Sequence, residues 1–269
     1  MFAAMATNLV HYAVSDGVAT ITLNDPPMNA YTHEMMKDLD SAILEARFDN
    51  EVHVIVITGH GEKFFCAGAN IRMLSEVDPT FKYYFCLHAN ETLSRLEHTP
   101  KLVIAAINGH CVGGGLEVAM ACDLRLARKG AGKVGLPEVN LGVLPGTGGT
   151  QRLARLVGKS AALQIIVEGE NFDVERAREL GLINHVIDVD TREDFLDKVQ
   201  EYARKFCPPE KASFAVGRIK RAIQTGAEIP IEQGLALERE LQAELFASHD
   251  AAEGLQAYVG KRKPIFKAR

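Results

Sequence analysis

Cysteine is scarce in this chain of 269 residues, and positive charge is not in excess. The five cysteines are an odd number and form no Cys-x-x-Cys pair, which argues against a disulfide framework and a structural zinc site. The formal net charge of -5 offers no attraction for nucleic acid or for an acidic membrane surface. We therefore expect a globular protein with buried free thiols in a reducing compartment.

Long apolar runs are also missing, since no stretch approaches the roughly 20 residues that a membrane-spanning helix needs. The first residues, MFAAMATNLV, lack the basic start and apolar core of a secretory signal, so a cytoplasmic protein is expected. No Gly-x-Ser-x-Gly elbow supports a serine hydrolase. The GKS at 158–160 fails as a phosphate loop because Leu153 stands where that loop requires glycine.

The first 190 residues alternate β-rich and helix-like segments. VHVIVITG at 52–59 and KLVIAAING at 101–109 are near-continuous apolar runs, typical of strands covered on both faces. Thr32 is the predicted N-cap of one helix, and another is predicted to end before Pro100. From about Thr191 the pattern is almost wholly helical. We therefore predict an α/β body over residues 1–190 and an all-helical region over 191–269.

The segment CVGGGLEVAMACD at 111–123 places three glycines between a buried strand and an apolar helix. Bare backbone admits a ligand closely, and the free amides at a helix start can stabilise an oxyanion. A tight turn for close packing is an equally good interpretation of the glycines alone. Glu117 follows in the first helical turn, where a carboxylate among apolar residues is costly unless it is paired or used. Favourable placement in the helix dipole is its structural alternative.

Glu138, in GLPEVNLGVLPG, is a second acid in a mostly apolar run. Two half-buried carboxylates can share one water, one acting as a base while the other holds a proton.

Combined, these segments are similar to a known family. IAAINGHCVGGGLEVAMACDLRLA and VGLPEVNLGVLPGTGGTQRLARLVGKS closely resemble the enoyl-CoA hydratase/isomerase family, the crotonase superfamily. KFFCAGANI resembles the family's second signature loop, and the likeness runs from about Val18 to the C-terminus. The resemblance implies an α/β fold, a crotonase-like spiral of ββα units. Its C-terminal helical region would assemble homotrimers, commonly paired into homohexamers.

The resemblance further implies an enoyl-CoA hydratase, a hydro-lyase that adds water syn across the 2,3 double bond of a 2-enoyl-CoA to give a 3-hydroxyacyl-CoA. Fatty-acid β-oxidation or related acyl-CoA catabolism is the implied setting. Glu117 and Glu138 would be the catalytic acids, Ala69 and Gly114 the oxyanion-hole amides, and Gly146 the amide that positions the water. The resemblance implies no metal and no redox cofactor, because the reaction proceeds through a thioester enolate, and coenzyme A enters as part of the substrate. Substrate or coenzyme A contacts are expected from Ala67, Gly68, Asn70, Ile71, Arg72, Lys263 and Phe266.

Two positions depart from the family pattern: Asn70 stands where Asp is usual, and Arg72 stands where Lys is common. Arginine binds phosphate well, so Arg72 fits a coenzyme A contact, with a solvated surface charge as the alternative.

Other functions of the family stay open. A Δ3,Δ2-enoyl-CoA isomerase is the first alternative, and having both glutamates favours hydration over it. Hydratases for cyclic or aromatic-derived enoyl-CoA keep both acids. RNA binding is the remote alternative; GRIKRAIQ and GKRKPIFKAR are the basic clusters that would serve it, and nucleic acid is not an expected partner.

Overall fold

A computed structural model describes residues 9–269. The strands in this range are β1 (Val10–Ser15), β2 (Val18–Leu23), β3 (Val54–Gly59), β4 (Phe64–Cys66), β5 (Leu102–Ile107), β6 (His110–Val112), β7 (Leu124–Arg128), β8 (Lys133–Gly135), β9 (Phe172–Asp173) and β10 (His185–Ile187). The helices are α1 (His33–Phe48), α2 (Ile71–Glu76), α3 (Pro79–His98), α4 (Gly114–Met120), α5 (Gly149–Val157), α6 (Lys159–Glu168), α7 (Val174–Glu179), α8 (Arg192–Arg204), α9 (Ser213–Gly226), α10 (Ile231–Phe246) and α11 (His249–Val259). A short 3-10 helix spans Glu138–Leu141.

The larger sheet has six strands in the order β1-β2-β3-β5-β7-β10. β1 and β2 form an antiparallel hairpin whose turn residues, Asp16 and Gly17, both have positive φ, as a tight hairpin turn requires. The remaining neighbours pair in parallel. Every residue of β3 and β5 is buried, which confirms that these apolar runs are strands covered on both faces.

Two layers of helix cover that sheet. On one face, α1 and α3 contribute the main core, including Met35, Leu39 and Leu93. On the other face, Phe195 and Val199 of α8 pack against strand residues that face the opposite way. Thr191, where the sequence pattern changes, caps α8 by accepting from the Asp194 N–H. The predicted division at residue 190 stays a prediction, and α8, on its C-terminal side, completes the core of the larger sheet.

The smaller sheet, β4-β6-β8-β9, explains how the chain spirals. β3, β5 and β7 each lie in the larger sheet, and the strand that follows each of them, β4, β6 or β8, lies in the smaller one. Helical segments follow each such pair. The repeated ββα unit confirms the predicted fold class, and it brings the loops after β4, β6 and β8 to one edge of the smaller sheet.

The helix ends agree with the capping signals of the sequence. Thr32 accepts a hydrogen bond from the Met35 N–H at the start of α1, and α3 ends at His98, two residues before Pro100. From Arg192 onward, the described elements are the helices α8 to α11. Within residues 9–269, no helix combines the length and the apolar character needed to cross a membrane.

Candidate active site

A cavity of about 100 Å³ opens where the loops after β4, β6 and β8 meet. Most of the residues predicted from the sequence to form the site line it together: Ala67, Gly68, Ala69, Ile71, Gly114, Glu117, Glu138 and Gly146. They come from three separate stretches of chain, and the parallel pairing of β4, β6 and β8 brings these stretches side by side.

Two backbone amides, those of Ala69 and Gly114, are free to bind an anion. Tyr31 pairs with the loop after β4: its N–H donates to the Gly68 carbonyl at 2.9 Å, and its carbonyl accepts from the Asn70 N–H at 3.0 Å. This pairing leaves the Ala69 N–H on the other side of the loop, with no acceptor among the described residues. The Gly114 N–H is the first of α4 and has no acceptor in that range either.

The glycines before Glu117 are required by close approach. Gly113 has a φ of 55°, which favours glycine, and a Cβ there would lie 3.0 Å from Oε1 of Glu138. A Cβ on Gly114 would overlap the Tyr31 hydroxyl. The bare backbone therefore lets the amide of Gly114, the Tyr31 ring and the Glu138 carboxylate share one small space.

Glu117 lies in the first turn of α4 and is only 2% exposed. Its Oε1 accepts from the Thr147 N–H at 2.8 Å and from the Gly149 N–H at 2.6 Å, and its Oε2 accepts from the Thr147 hydroxyl. Because all three partners donate, this cradle suits an ionised carboxylate, which can only accept. The cost of burying the charge is offset by these bonds.

Glu138 is half-buried at the start of the 3-10 helix, and its Oε2 is buried without a hydrogen-bond partner among the described residues. Burial raises the pKa of Glu138 to about 7, the nearby charge of Glu117 adds to the rise, and its own backbone N–H and Lys82 oppose it. A carboxyl group with this pKa can hold or release a proton near neutral pH.

Tyr31 and Thr147 line the cavity but were not predicted from the sequence. The Thr147 hydroxyl donates its hydrogen bond to Glu117. Its oxygen must therefore accept from the Tyr31 hydroxyl, 3.3 Å away. Burial, followed by the negative charge of Glu117, holds the pKa of Tyr31 well above its ordinary value, so Tyr31 remains a donor. The two hydroxyls form a chain of hydrogen bonds that ends on Glu117.

Four predicted contact residues lie outside the cavity. Asn70 caps α2, accepting from the Met73 N–H at 3.1 Å, which a carboxylate would also do. The side chain of Arg72 is 91% exposed and lies 3.8 Å from Glu76. Lys263 pairs with Glu210 at 2.7 Å, and Phe266 packs beside Gly254 of α11. Their roles toward coenzyme A stay predictions.

Comparison with known proteins identifies the family of this chain. The sequence model of the enoyl-CoA hydratase/isomerase family matches residues 13–269. The chain belongs to this family. It is 39% identical to a short-chain-enoyl-CoA hydratase from Clostridium acetobutylicum over 91% of this chain and 92% of that protein. It is 35% identical to a crotonyl-CoA hydratase from Syntrophomonas wolfei, over 93% and 94% of the two chains.

A solved structure gives the same result for the fold. An enoyl-CoA hydratase from Geobacillus kaustophilus HTA426 superposes with a TM-score of 0.94 at 45% sequence identity, covering 98% of each chain. Both the ββα body and the C-terminal helices therefore follow the family's fold.

Proposed function

We propose that the chain is a hydro-lyase that hydrates 2-enoyl-CoA thioesters to 3-hydroxyacyl-CoA, within β-oxidation or related acyl-CoA catabolism. The observation that carries the proposal is the pair of unlike carboxylates in one cavity: Glu117 in a cradle of donors, and Glu138 with a pKa raised to about 7. Such a pair divides the two proton transfers of hydration between a base and an acid.

In the proposed reaction, Glu117 takes a proton from the water as the water oxygen bonds to the β carbon. The π electrons of the double bond move towards the thioester and generate an enolate. Glu138 then gives its proton to the α carbon, which completes the 3-hydroxyacyl-CoA. The pair is reset when the proton on Glu117 passes back to Glu138, so no net proton is consumed.

The free amides of Ala69 and Gly114 support the second part of the proposal. Both would donate to the thioester oxygen, where negative charge develops in the enolate. The Gly146 N–H, which also lines the cavity, would hold the attacking water beside Glu117. Removing one donor of this kind costs a factor of about 100 to 1000 in other oxyanion sites.

The protein would work as a homotrimer or as a homohexamer. Large apolar side chains of the helical tail, including Phe246, Tyr258 and Val259, are more than half exposed in the single chain. Burial against further copies would remove that apolar surface from water. Light scattering should give a mass that is a multiple of three times 29.4 kDa, and a monomer at micromolar concentration would contradict the proposed assembly.

The RNA-binding alternative is weakened by the partners of the basic clusters. Arg218 pairs with Glu244, Lys220 with Asp123, and Arg262 with Glu253. Carboxylates thus neutralise much of the charge on which phosphate binding depends.

The test is hydration of crotonyl-CoA, followed by loss of the conjugated enoyl thioester and by detection of 3-hydroxybutyryl-CoA. Isomerisation of a 3-enoyl-CoA is measured in parallel. We expect hydration to exceed isomerisation by at least about tenfold, because two carboxylates serve it. The Glu138→Gln variant controls for contaminating hydratase, since its activity must fall. Isomerisation without hydration would overturn the proposal in favour of the isomerase.

A further inference from the structure

Lys82 places a cation at the wall of the cavity. Asp78 caps α3 by accepting from the Phe81 N–H at 2.8 Å, and this start of the helix puts Lys82 in its first turn. The Lys82 side chain is half-buried and lines the cavity. Its Nζ lies 3.9 Å from the position that a Cβ on Gly146 would occupy and 5.4 Å from the centre of the Phe85 ring. The ammonium therefore lies at the part of the cavity wall that Gly146 forms.

The Lys82 ammonium has no anion to pair with. In the described part of the chain, no carboxylate lies within ion-pair distance of it and no carbonyl accepts from it; Glu138 acts on it only through space. Two other lysines that are not exposed have oxygen partners: Lys220 pairs with Asp123 at 2.9 Å, and Lys101 donates to two backbone carbonyls. The described partner of the Lys82 ammonium is the face of the Phe85 ring, 5.4 Å away, so it lacks the oxygen partners that these two lysines have. A half-buried ammonium without an oxygen partner leaves hydrogen-bonding capacity for an anion.

The surroundings of the ammonium decide which ligand suits it. Apolar side chains of the cavity wall include Ile71, Leu74, Val143 and Leu144. A purely alkyl acyl chain would displace water from Lys82 and offer nothing in return. A carboxylate at the far end of the acyl chain would form a charge-assisted hydrogen bond with it.

We propose that Lys82 is a specificity-determining residue that binds a carboxylate at the distal end of the acyl chain. The substrate class would then be short enoyl-CoA thioesters of dicarboxylic acids. This inference rests on the proposed hydratase function and names the substrate of the same site. The chain must be short because the cavity is small and because Lys82 lies close to Gly146, whose amide is proposed to hold the attacking water.

The experiment compares crotonyl-CoA with glutaconyl-CoA, which carries a carboxylate on the terminal carbon of the same enoyl chain. The methyl ester of glutaconyl-CoA serves as an uncharged probe of similar length. For each substrate, kcat/KM is measured with the wild-type protein, Lys82→Met and Lys82→Arg. The exposed Lys198→Met on α8 is the matched control for loss of a lysine charge.

We expect the wild-type protein to prefer glutaconyl-CoA over both crotonyl-CoA and the ester. Lys82→Met should lower the ratio of kcat/KM for glutaconyl-CoA to that for crotonyl-CoA by about 10- to 100-fold, the size of a lost hydrogen bond between charged groups. Lys82→Arg should keep most of the ratio, and Lys198→Met should keep all of it.

The ratio separates this role from an effect on Glu138. If Lys82 served only to adjust that carboxyl group, Lys82→Met would change both substrates equally and the ratio would stay constant, which overturns the proposal. A wild-type preference for crotonyl-CoA or for the ester would overturn it as well. If neither crotonyl-CoA nor glutaconyl-CoA were hydrated, the proposed hydratase function would be overturned, and the assignment of Lys82 with it.

Discussion

Glu117 and Glu138 line one cavity, and the chain surrounds the two carboxylates in opposite ways. Glu117 lies on the buried helix α4 and accepts from three donors on the segment 147–149. Glu138 lies at the start of a short 3-10 helix, with one oxygen buried and unpartnered among the described residues. The first setting favours the charged form that serves as the base, and the second favours a carboxyl group that can hold and release a proton. Identical side chains thus acquire different chemistry from their surroundings.

The largest expected effect comes from removing either carboxylate. Glu117→Gln and Glu138→Gln should each lower kcat for crotonyl-CoA by about 1000-fold, because each removes one of two proton transfers in the same reaction. The measurement is the steady-state kcat of each single variant and of the double variant. Since the pair acts as a unit, the double variant should lose no more than about tenfold beyond the worse single variant.

Full additivity of the two losses would show that the carboxylates act in separate steps, which contradicts the shared proton. Glutamine keeps the shape of each side chain, and thermal unfolding of each variant serves as the control for folding.

The next effect is the dependence of activity on pH. The raised pKa of Glu138, about 7, means that this group is protonated below that pH and ionised above it. The active pair holds one proton, so kcat/KM should fall tenfold per pH unit above about 7, reaching roughly 100-fold near pH 9. Dehydration of 3-hydroxybutyryl-CoA should show the same decline, because the overall reaction releases no proton.

Initial rates in both directions across the same buffers provide the measurement. A flat profile up to pH 9 would show that the charge state of Glu138 does not limit the reaction. The equilibrium constant fixes the ratio of kcat/KM in the two directions at every pH. Opposite profiles would therefore indicate inactivation of the enzyme rather than a titration.

Local sequence predicted much of the fold and part of the candidate site. The β-branched runs of β3 and β5 are buried on both faces, as their composition indicates. The Gly-Gly-Gly run followed by an acid pointed to a bare backbone beside a carboxylate, because glycine's freedom is a property of the residue itself. Glu138 was predicted as a second acid in an apolar run, and the family resemblance added Ala69. The cavity brings both together with Glu117.

What local sequence could not predict depends on contacts between distant segments. Tyr31 and Thr147 are 116 residues apart, and Thr147 within a glycine-rich turn has the composition of an ordinary turn residue. Lys82 has the sequence context of a solvated charge on a helix. Only the packing of α3 beside the cavity shows that its side chain lines the cavity wall. Asn70 was predicted to contact the substrate, and in the structure its side chain caps α2.

A smaller effect should follow from loosening the cradle of Glu117. Thr147→Ala removes the hydroxyl that donates to Oε2 but keeps the backbone N–H that donates to Oε1. We expect kcat to fall about tenfold with little change in KM, because a charge-assisted hydrogen bond that holds the base is lost. Thr147→Ser restores a hydroxyl at the same place and should recover most of the activity. If serine were as slow as alanine, packing of the methyl group would explain the loss instead.

The smallest effect should come from Tyr31→Phe, and it tests whether the hydroxyl chain ends where the geometry places it. The ring keeps its stacking on Phe85, whose centre is 5.8 Å away, so only the 3.3 Å hydrogen bond to Thr147 is removed. A neutral bond of that length should cost less than about 1 kcal/mol of stability and about threefold in kcat. In the double variant with Thr147→Ala, Tyr31→Phe should cost nothing further, since its effect passes through Thr147. A loss larger than that of Thr147→Ala would mean that the Tyr31 hydroxyl acts directly at Gly114, on the oxyanion side of the cavity.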